Sequence, residues 1–345
     1  SKTDVATVDN NGKVTITGAG TATLTVAVTQ SANYEAASCS VTITVDKADA
    51  TEKLVVDTVL YEKTYGDSAF QIAASSEGNI AEIHYESGDS TVVEADTKGL
   101  VSIKNTGTAV ITINMDESRN YLAVSKNITV KVVPKEITVT GINAESKVYD
   151  GNTNATLNFD HVLYVGKLTD DVLTLSGTGT FADKNVGQDK TVQIDRRSLG
   201  LDGADRGKYV LAEEQQTTTT ADITAKEITA TITPNGGTYE GTITPADGSL
   251  NGLITDDHPT ITWNYSGRAN DGTEINGSAV PTLAGTYRVT AAISDMNYVL
   301  NPENASAEFM INRTSPELSV SAVPDKNYND AEFNLEITHK GDGQK

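Results

Sequence analysis

A chain of 345 residues with 47 acidic against 26 basic side chains has a formal charge of −21, a balance that repels nucleic acid and anionic membrane surfaces alike. Its lone cysteine, Cys39, excludes a disulfide within the chain, so the folding units must hold by packing alone. No apolar run is long enough to span a bilayer as a helix, so this segment inserts into no membrane by that route.

Taken from the start, the elements read as strands. Val14-Thr-Ile16 and Thr23-Leu-Thr-Val-Ala-Val28 alternate apolar with polar residues, as strands with one wet face do. Cys39 shares parity with Val41, Ile43 and Val45, which places it as a small core or edge residue. The same alternation returns in Val110-Ile-Thr-Ile113 and Ile128-Thr-Val-Lys-Val132, and no long amphipathic helix interrupts it. Reversals carry turn chemistry, as in Asp9-Asn-Asn-Gly12, Ser87-Gly-Asp89, Asp202-Gly203 and Asn270-Asp-Gly272. The fold class is all-β.

Two tyrosine markers divide the chain. Asn33-Tyr34, Asn120-Tyr121, Lys208-Tyr209 and Asn297-Tyr298 recur with their tyrosines 87, 88 and 89 residues apart. The second marker opens each unit: Tyr65-Gly-Asp67, Tyr149-Asp-Gly151, Tyr239-Glu-Gly241 and Tyr328-Asn-Asp330. A steady period of this size means one structural unit copied along the chain, and turns every 8 to 12 residues fit an immunoglobulin-like sandwich. The boundaries fall at 47–134, 135–225 and 226–312, flanked by a C-terminal half-unit at 1–46 and an N-terminal half-unit at 313–345. Polar connections as short as Pro134-Lys-Glu136 and Ala225-Lys-Glu227 predict tandem sandwiches in an elongated, semi-rigid rod. Half a sandwich exposes an apolar face and open edges. Two readings stand for it: a clipped longer array, or head-to-tail self-association in which one chain's terminal half completes another's.

These residues carry a family resemblance. Asp4-Val-Ala-Thr-Val-Asp-Asn-Asn-Gly-Lys13 with Gly18-Ala-Gly-Thr-Ala-Thr-Leu-Thr-Val26 resembles the second half of a group 2 bacterial immunoglobulin-like domain. Lys147-Val-Tyr-Asp-Gly-Asn-Thr153, Gly179-Thr-Phe-Ala-Asp-Lys-Asn-Val-Gly187 and Gly203-Ala-Asp-Arg-Gly-Lys-Tyr-Val-Leu211 resemble the YDG repeats of large bacterial adhesins. The units holding Tyr65, Tyr239 and Tyr328 are similar to mostly-bacterial immunoglobulin-like modules. The resemblance implies an extracellular, non-catalytic stalk or adhesin segment on a bacterial surface, presenting a tip to a host or environmental glycan or protein. Unit 135–225 departs from the others by an insertion, Arg196 to Gly203, which lengthens a loop or adds an edge strand.

Chemistry is sparse. His84, His161, His258 and His339 lie in four different units, and no nucleophile elbow or zinc spacing is present. Gly177-Thr-Gly-Thr-Phe-Ala182 matches a dinucleotide fingerprint only formally, since no helix follows to hold a pyrophosphate. Asp202 with Asp205, and Asp256 with Asp257, are candidates for calcium between domains, or are turn residues bonding their own backbone. Trp263 and Tyr265 share a strand face, which serves a sandwich core or, alternatively, an aromatic platform for a carbohydrate ring. No lysine–asparagine spacing marks an isopeptide bond. The recurring Asn-Tyr phrase is expected to act as a tyrosine corner within each unit. Specific binding is then expected where units differ, at Arg196 to Asp202 or around Trp263.

Overall fold

The computed structural model describes residues 2–78 and 80–341, so Ser1, Asn79 and the last four residues of the terminal half-unit lie outside it. The fold is all-β: among the described residues the helical elements are two 3-10 turns, Arg206–Lys208 and Pro302–Asn304. Among the described residues no helix is long and apolar enough to cross a membrane. Tandem immunoglobulin-like β-sandwiches make up the chain, which divides into two compact units. One unit takes residues up to Ile142, Phe159–Gly177 and Arg196–Gln216; the other takes Asn143–Asn158, Thr178–Asp195 and residues from Thr217 on.

In the first unit, the strands between residues 47 and 134 face one another across a shared core. A four-stranded sheet runs in the order Leu60–Thr64, Val124–Val133, Gly107–Met115, Ile83–Ser87. Its inward parity, Ala109, Ile111, Ile113 and Met115 on one strand and Ile128, Val130 and Val132 on the next, is buried. Facing it are Leu54, Ile72, Val93 and Val101, also buried. The alternation read from sequence is therefore the core itself. Its burial supplies the stability, since each fully buried aliphatic side chain contributes about 1.5–3 kcal/mol.

Two repeated hairpins show how faithfully the unit is copied. Gly107–Met115 pairs with Val124–Val133 so that Gly107 faces Val132, and Gly20–Val28 pairs with Ala37–Val45 so that Gly20 faces Val45, the same register 87 residues earlier. Both glycines hold a positive φ, 140° and 132°, a conformation that a side chain would strain.

The second unit holds the sandwich of residues 226–312. Its sheets run Asp247–Asn251, Lys226–Thr233, Tyr298–Leu300, and Gly237–Thr238, Ser306–Asn312, Gly285–Ile293, Ile261–Ala269, Glu274–Gly277. The strands of 135–225 repeat the three-stranded order, Leu163–Val165, Lys135–Thr140, Tyr209–Leu211, in the first unit, and in the second form a five-stranded sheet that runs from Lys147–Val148 to a different edge strand, Asn154–Ala155. The insertion beginning at Arg196 adds a strand: Gly200–Asp202 pairs antiparallel with Thr174–Ser176.

Apolar side chains stay exposed near both ends. Val26, Val28 and Val41 are exposed on the first hairpin, as are Leu318, Val320, Phe333 and Leu335 near the end. The expectation that Cys39 is a core or edge residue is half corrected, because it lies on a strand but is exposed. Its position in the repeat is that of Lys126, at the open end of the strand; the small sheet of Ala6–Val8 and Val14–Ile16 covers only the other end of the hairpin, around Ala22 and Val45. Treating the folded chain with a maleimide is therefore expected to add one label per molecule without denaturant, read by intact mass. A thiol that reacts only after denaturation would contradict this placement.

Candidate functional site

The sequence candidates resolve first. Tyr265 is buried at 2% exposure and its hydroxyl accepts the Ala246 N–H at 2.8 Å. Trp263 packs half-buried against the same core, with Tyr287, Val289 and Phe309. The platform reading of Trp263 and Tyr265 is thereby corrected, since their shared face is the inward one and no sugar ring can stack on it. The calcium reading meets a similar obstacle. The Asp202 carboxylate pairs with Arg206 at 3.4 Å, Asp205 pairs with Lys208 at 2.8 Å and accepts the Val172 N–H, and Asp257 is occupied by tyrosines, while Asp256 is exposed. A hard cation wants six to eight oxygens in one place, and cationic or hydroxyl partners take these instead. Among the described residues, one group of side chains lies close enough to share a metal, Glu82, His84 and Asp116; all three are exposed, and an ordinary surface hydrogen bond at 3.0 Å between His84 and Asp116 accounts for it.

What the structure does bring together is the two tyrosine markers. Consecutive sandwiches are joined through one residue: Val124–Val133 passes through Pro134 into Lys135–Thr140, and Thr218–Thr224 through Ala225 into Lys226–Thr233. The opening tyrosine of each sandwich is tied at this pole, because the Tyr65 N–H bonds the Val133 carbonyl at 2.9 Å and the Tyr149 N–H bonds that of Thr224 at 2.8 Å. Tyr239 repeats the bond to Asn312 at 2.8 Å. The second marker lies on the other side of the boundary. Tyr209 pairs in parallel with Lys135, Tyr298 with Lys226, and Tyr121 bridges Ala48, in each case near the first residue of its own sandwich.

In the first unit, Tyr65 from 47–134 and Tyr209 from 135–225 meet edge to face at 5.6 Å between ring centres. Both hydroxyls donate to Asp171, Tyr65 at 3.2 Å and Tyr209 at close range, and the Tyr209 oxygen accepts the Leu168 N–H at 2.9 Å. Lys208 adds its ammonium to Asp171 at 3.3 Å. In the second unit the arrangement recurs. Tyr149 and Tyr298 meet edge to face at 5.4 Å, donate to Asp257 at 2.7 and 2.6 Å, and Tyr298 accepts the Ile254 N–H at 3.0 Å. All four tyrosines are buried, and the aspartate side chains are 9% and 13% exposed. Around the first lock the apolar core is continuous, with Ile137, Leu173 and Tyr209 packed into the same cluster as Leu54, Ile113 and Val130.

The glycine of the opening marker has a reason at the same place. Gly151 has φ +79°, and a Cβ there would come within 2.8 Å of the Ile254 side chain; Gly66, at φ +86°, would meet Leu168 at 3.4 Å. Leu168 and Ile254 are the residues whose amides hold the second tyrosines, so glycine lets the two sandwiches approach.

A second contact holds each boundary. Asn120 Oδ1 accepts the Ala19 N–H at 2.9 Å, and Asn297 Oδ1 accepts the Val186 N–H at 2.9 Å. Between 47–134 and 135–225, where lysine replaces asparagine, the Thr106 hydroxyl donates to the Gly207 carbonyl at 3.0 Å. Ala19, Thr106 and Val186 each immediately precede a strand-opening glycine, Gly20, Gly107 or Gly187. Two separated contacts and a one-residue connection leave a joint few ways to bend.

The tyrosine-corner expectation holds at Tyr209 and Tyr298, whose hydroxyls bond a loop backbone, and fails at Tyr34, which is exposed; it is also incomplete about purpose, for the hydroxyls of Tyr209 and Tyr298 share a carboxylate with the neighbouring sandwich. The expectation that binding be sought where units differ missed this site, which the repeated residues build. A signal was present: Leu168-Thr-Asp-Asp171 and Ile254-Thr-Asp-Asp257 are the same phrase 86 residues apart.

Comparison with known proteins adds one family. Residues 133–220 match the YDG domain, a stretch that takes in most of 135–225 and the Tyr149-Asp-Gly151 phrase. A stretch of 123 residues is 32% identical to an uncharacterized protein of Clostridium acetobutylicum, covering 36% of this chain and 12% of that protein, so this chain spans about an eighth of its relative's length. Solved structures include Drosophila N-cadherin EC1-3 (10% identity, 75% of this chain and 98% of that one, TM-score 0.27) and the zebrafish RET cadherin-like domains 1 to 4 (8%, 90% and 90%, TM-score 0.23). Domains 4–9 of the surface layer protein SbsC are similar at 14% identity over 80% of this chain and 50% of that one, with TM-score 0.20. At such scores these likenesses bear on no residue of the joints.

The joints set a pH window. Burial, then the hydrogen bond to the aspartate, pushes the Tyr209 and Tyr298 hydroxyls up to about 12, while bonds donated by Tyr298 and Tyr149 hold Asp257 below the usual carboxylate value. An unfolded tyrosine ionises near 10. Below pH 10 both states keep the proton; between about 10 and 12 the unfolded chain loses it first, so stability falls with pH, on the order of 2–3 kcal/mol per tyrosine. Asp257 acts with the opposite sign, its contribution being lost as acid protonates it. Urea unfolding from pH 9 to 12 is expected to show this decline, and a shallower one in a Tyr209→Phe, Tyr298→Phe chain that is already weaker by about 1–3 kcal/mol per site at neutral pH. A flat wild-type profile across that window would contradict the assignment.

Proposed function

We propose that the chain is a non-catalytic structural segment of a bacterial cell-surface protein, a spacer or adhesin stalk whose joints hold successive sandwiches at set angles and present a distal binding tip. The observation that carries this reading is the repetition of one joint, tyrosine–aspartate–tyrosine with a lysine, at two successive boundaries. Enzymes concentrate unusual side chains at one place, whereas here the unusual side chains recur at the period of the repeat and serve to connect. The match of 133–220 to a repeat-type family supports the same reading, as does a net charge of −21, which keeps a long array soluble and self-repelling.

The mechanism is geometric. Each joint couples its neighbours, so stability and stiffness pass along the array as nearest-neighbour terms. A rod-like spacer is expected to have a radius of gyration well above the value of about 20 Å for one compact body of this chain length. Small-angle scattering in solution is expected to give that larger radius. A radius near the compact value would overturn the spacer reading.

A further inference from the structure

Each joint holds one lysine against the carboxylate of its shared aspartate, and the two lysines come from opposite sides of the boundary; at the first joint a further lysine, Lys167, donates to the Asp171 backbone carbonyl at 2.6 Å and not to its carboxylate. At the first, Lys208 belongs to the following sandwich, with its Nζ 3.3 Å from Asp171 and 5.1 Å from the Tyr65 ring centre. At the second, the corresponding residue is Asn297, and the cation is Lys184 of the preceding sandwich, 3.5 Å from Asp257 and 5.9 Å from the Tyr149 ring centre. The cation thus faces the same two groups, the shared carboxylate and the first tyrosine, whichever sandwich supplies it.

The exchange is coupled. Lys184 stands three residues before the strand-opening Gly187, followed by Asn185; in 47–134 the same place before Gly107 holds Lys104, followed by Asn105. Lys104 does not enter the first joint, where Lys208 already sits, and pairs with Glu94 at 3.0 Å instead. Asn297 in turn does what lysine cannot, accepting the Val186 N–H and donating to Asn185 at 3.2 Å. A carboxylate so little exposed is costly with neutral donors alone, and one cation offsets its charge, while a second would repel the first.

We propose that one cation is a fixed requirement of the joint, and that the residue before the second tyrosine decides which sandwich supplies it. Lysine there, as at 208, makes a sandwich self-sufficient. Asparagine there, as at 297, makes it depend on a predecessor carrying lysine three residues before its strand-opening glycine. Lys184 and Asn297 are then a specificity pair that determines which sandwiches can be neighbours. This rests on the joint being the functional element of the spacer.

A four-chain cycle tests it: wild type, Lys184→Met, Asn297→Lys, and both together. Thermal unfolding is followed by Trp263, the single tryptophan, which lies in the core of 226–312. Lys184→Met is expected to lower the midpoint by about 1–4 °C. Asn297→Lys alone is expected to lower it too, by losing the asparagine contacts and adding a second cation. In the Lys184→Met chain, however, the same Asn297→Lys change is expected to raise the midpoint, or to cost less than half as much, because the introduced ammonium then supplies the missing charge. Equal losses in both backgrounds would overturn the pairing rule. Should Lys184→Met fail to fold, recovery of a folded double variant supports the rule and continued failure rejects it. Neither result alters the radius of gyration of the wild-type chain, which tests the spacer reading separately.

Discussion

A carboxylate withdrawn from water must be met by donors and by positive charge, and Asp171 and Asp257 are met by groups from both sides of a domain boundary. Tyr65 and Tyr149 come from one sandwich and Tyr209 and Tyr298 from the next, and each pair closes on a single side chain. Separating the sandwiches would leave a buried charge short of a donor, at a cost on the order of 1–3 kcal/mol for each lost bond. The rest of the boundary follows from that closure. The connection is one residue long, the glycine after each opening tyrosine lets the neighbouring loop approach, and the asparagine or threonine contact across the strand-opening glycine fixes the second point.

This arrangement explains why the same residue types recur at each joint while their suppliers change. The tyrosines and the aspartate must keep their places because their geometry is mutual. The lysine carries charge on a long flexible stem, so it can arrive from either side, as Lys208 and Lys184 do. Coupling between neighbours of this kind makes an array behave as a chain of nearest-neighbour terms, in which each sandwich owes part of its stability to the next.

Much of the fold was legible because strand alternation is written locally: the parity of Val110-Ile-Thr-Ile113 is the parity of the core. The joints were legible only in part. Both tyrosine markers stood out by their period, yet Tyr65 and Asp171 are 106 residues apart, and a period does not say which pole of the unit a marker occupies. Asp257 read as turn chemistry, since an aspartate at the end of Ile254-Thr-Asp-Asp257 closes a turn and also accepts bonds from another domain. Trp263 and Tyr265 suit a core more readily than a platform, and the facing sheet decides for the core, while Cys39 reads as interior only if a second sheet covers its strand.

Above all, we propose that the shared aspartate fixes the angle between neighbours. Spin labels at Glu86→Cys and Thr174→Cys, both exposed and on either side of the first joint, in a Cys39→Ser background, would report the distance distribution across it. One narrow distribution is expected for the intact joint, and a distinctly broader one when Asp171 is replaced by alanine and Tyr65 by phenylalanine. Equal widths with and without those side chains would contradict it.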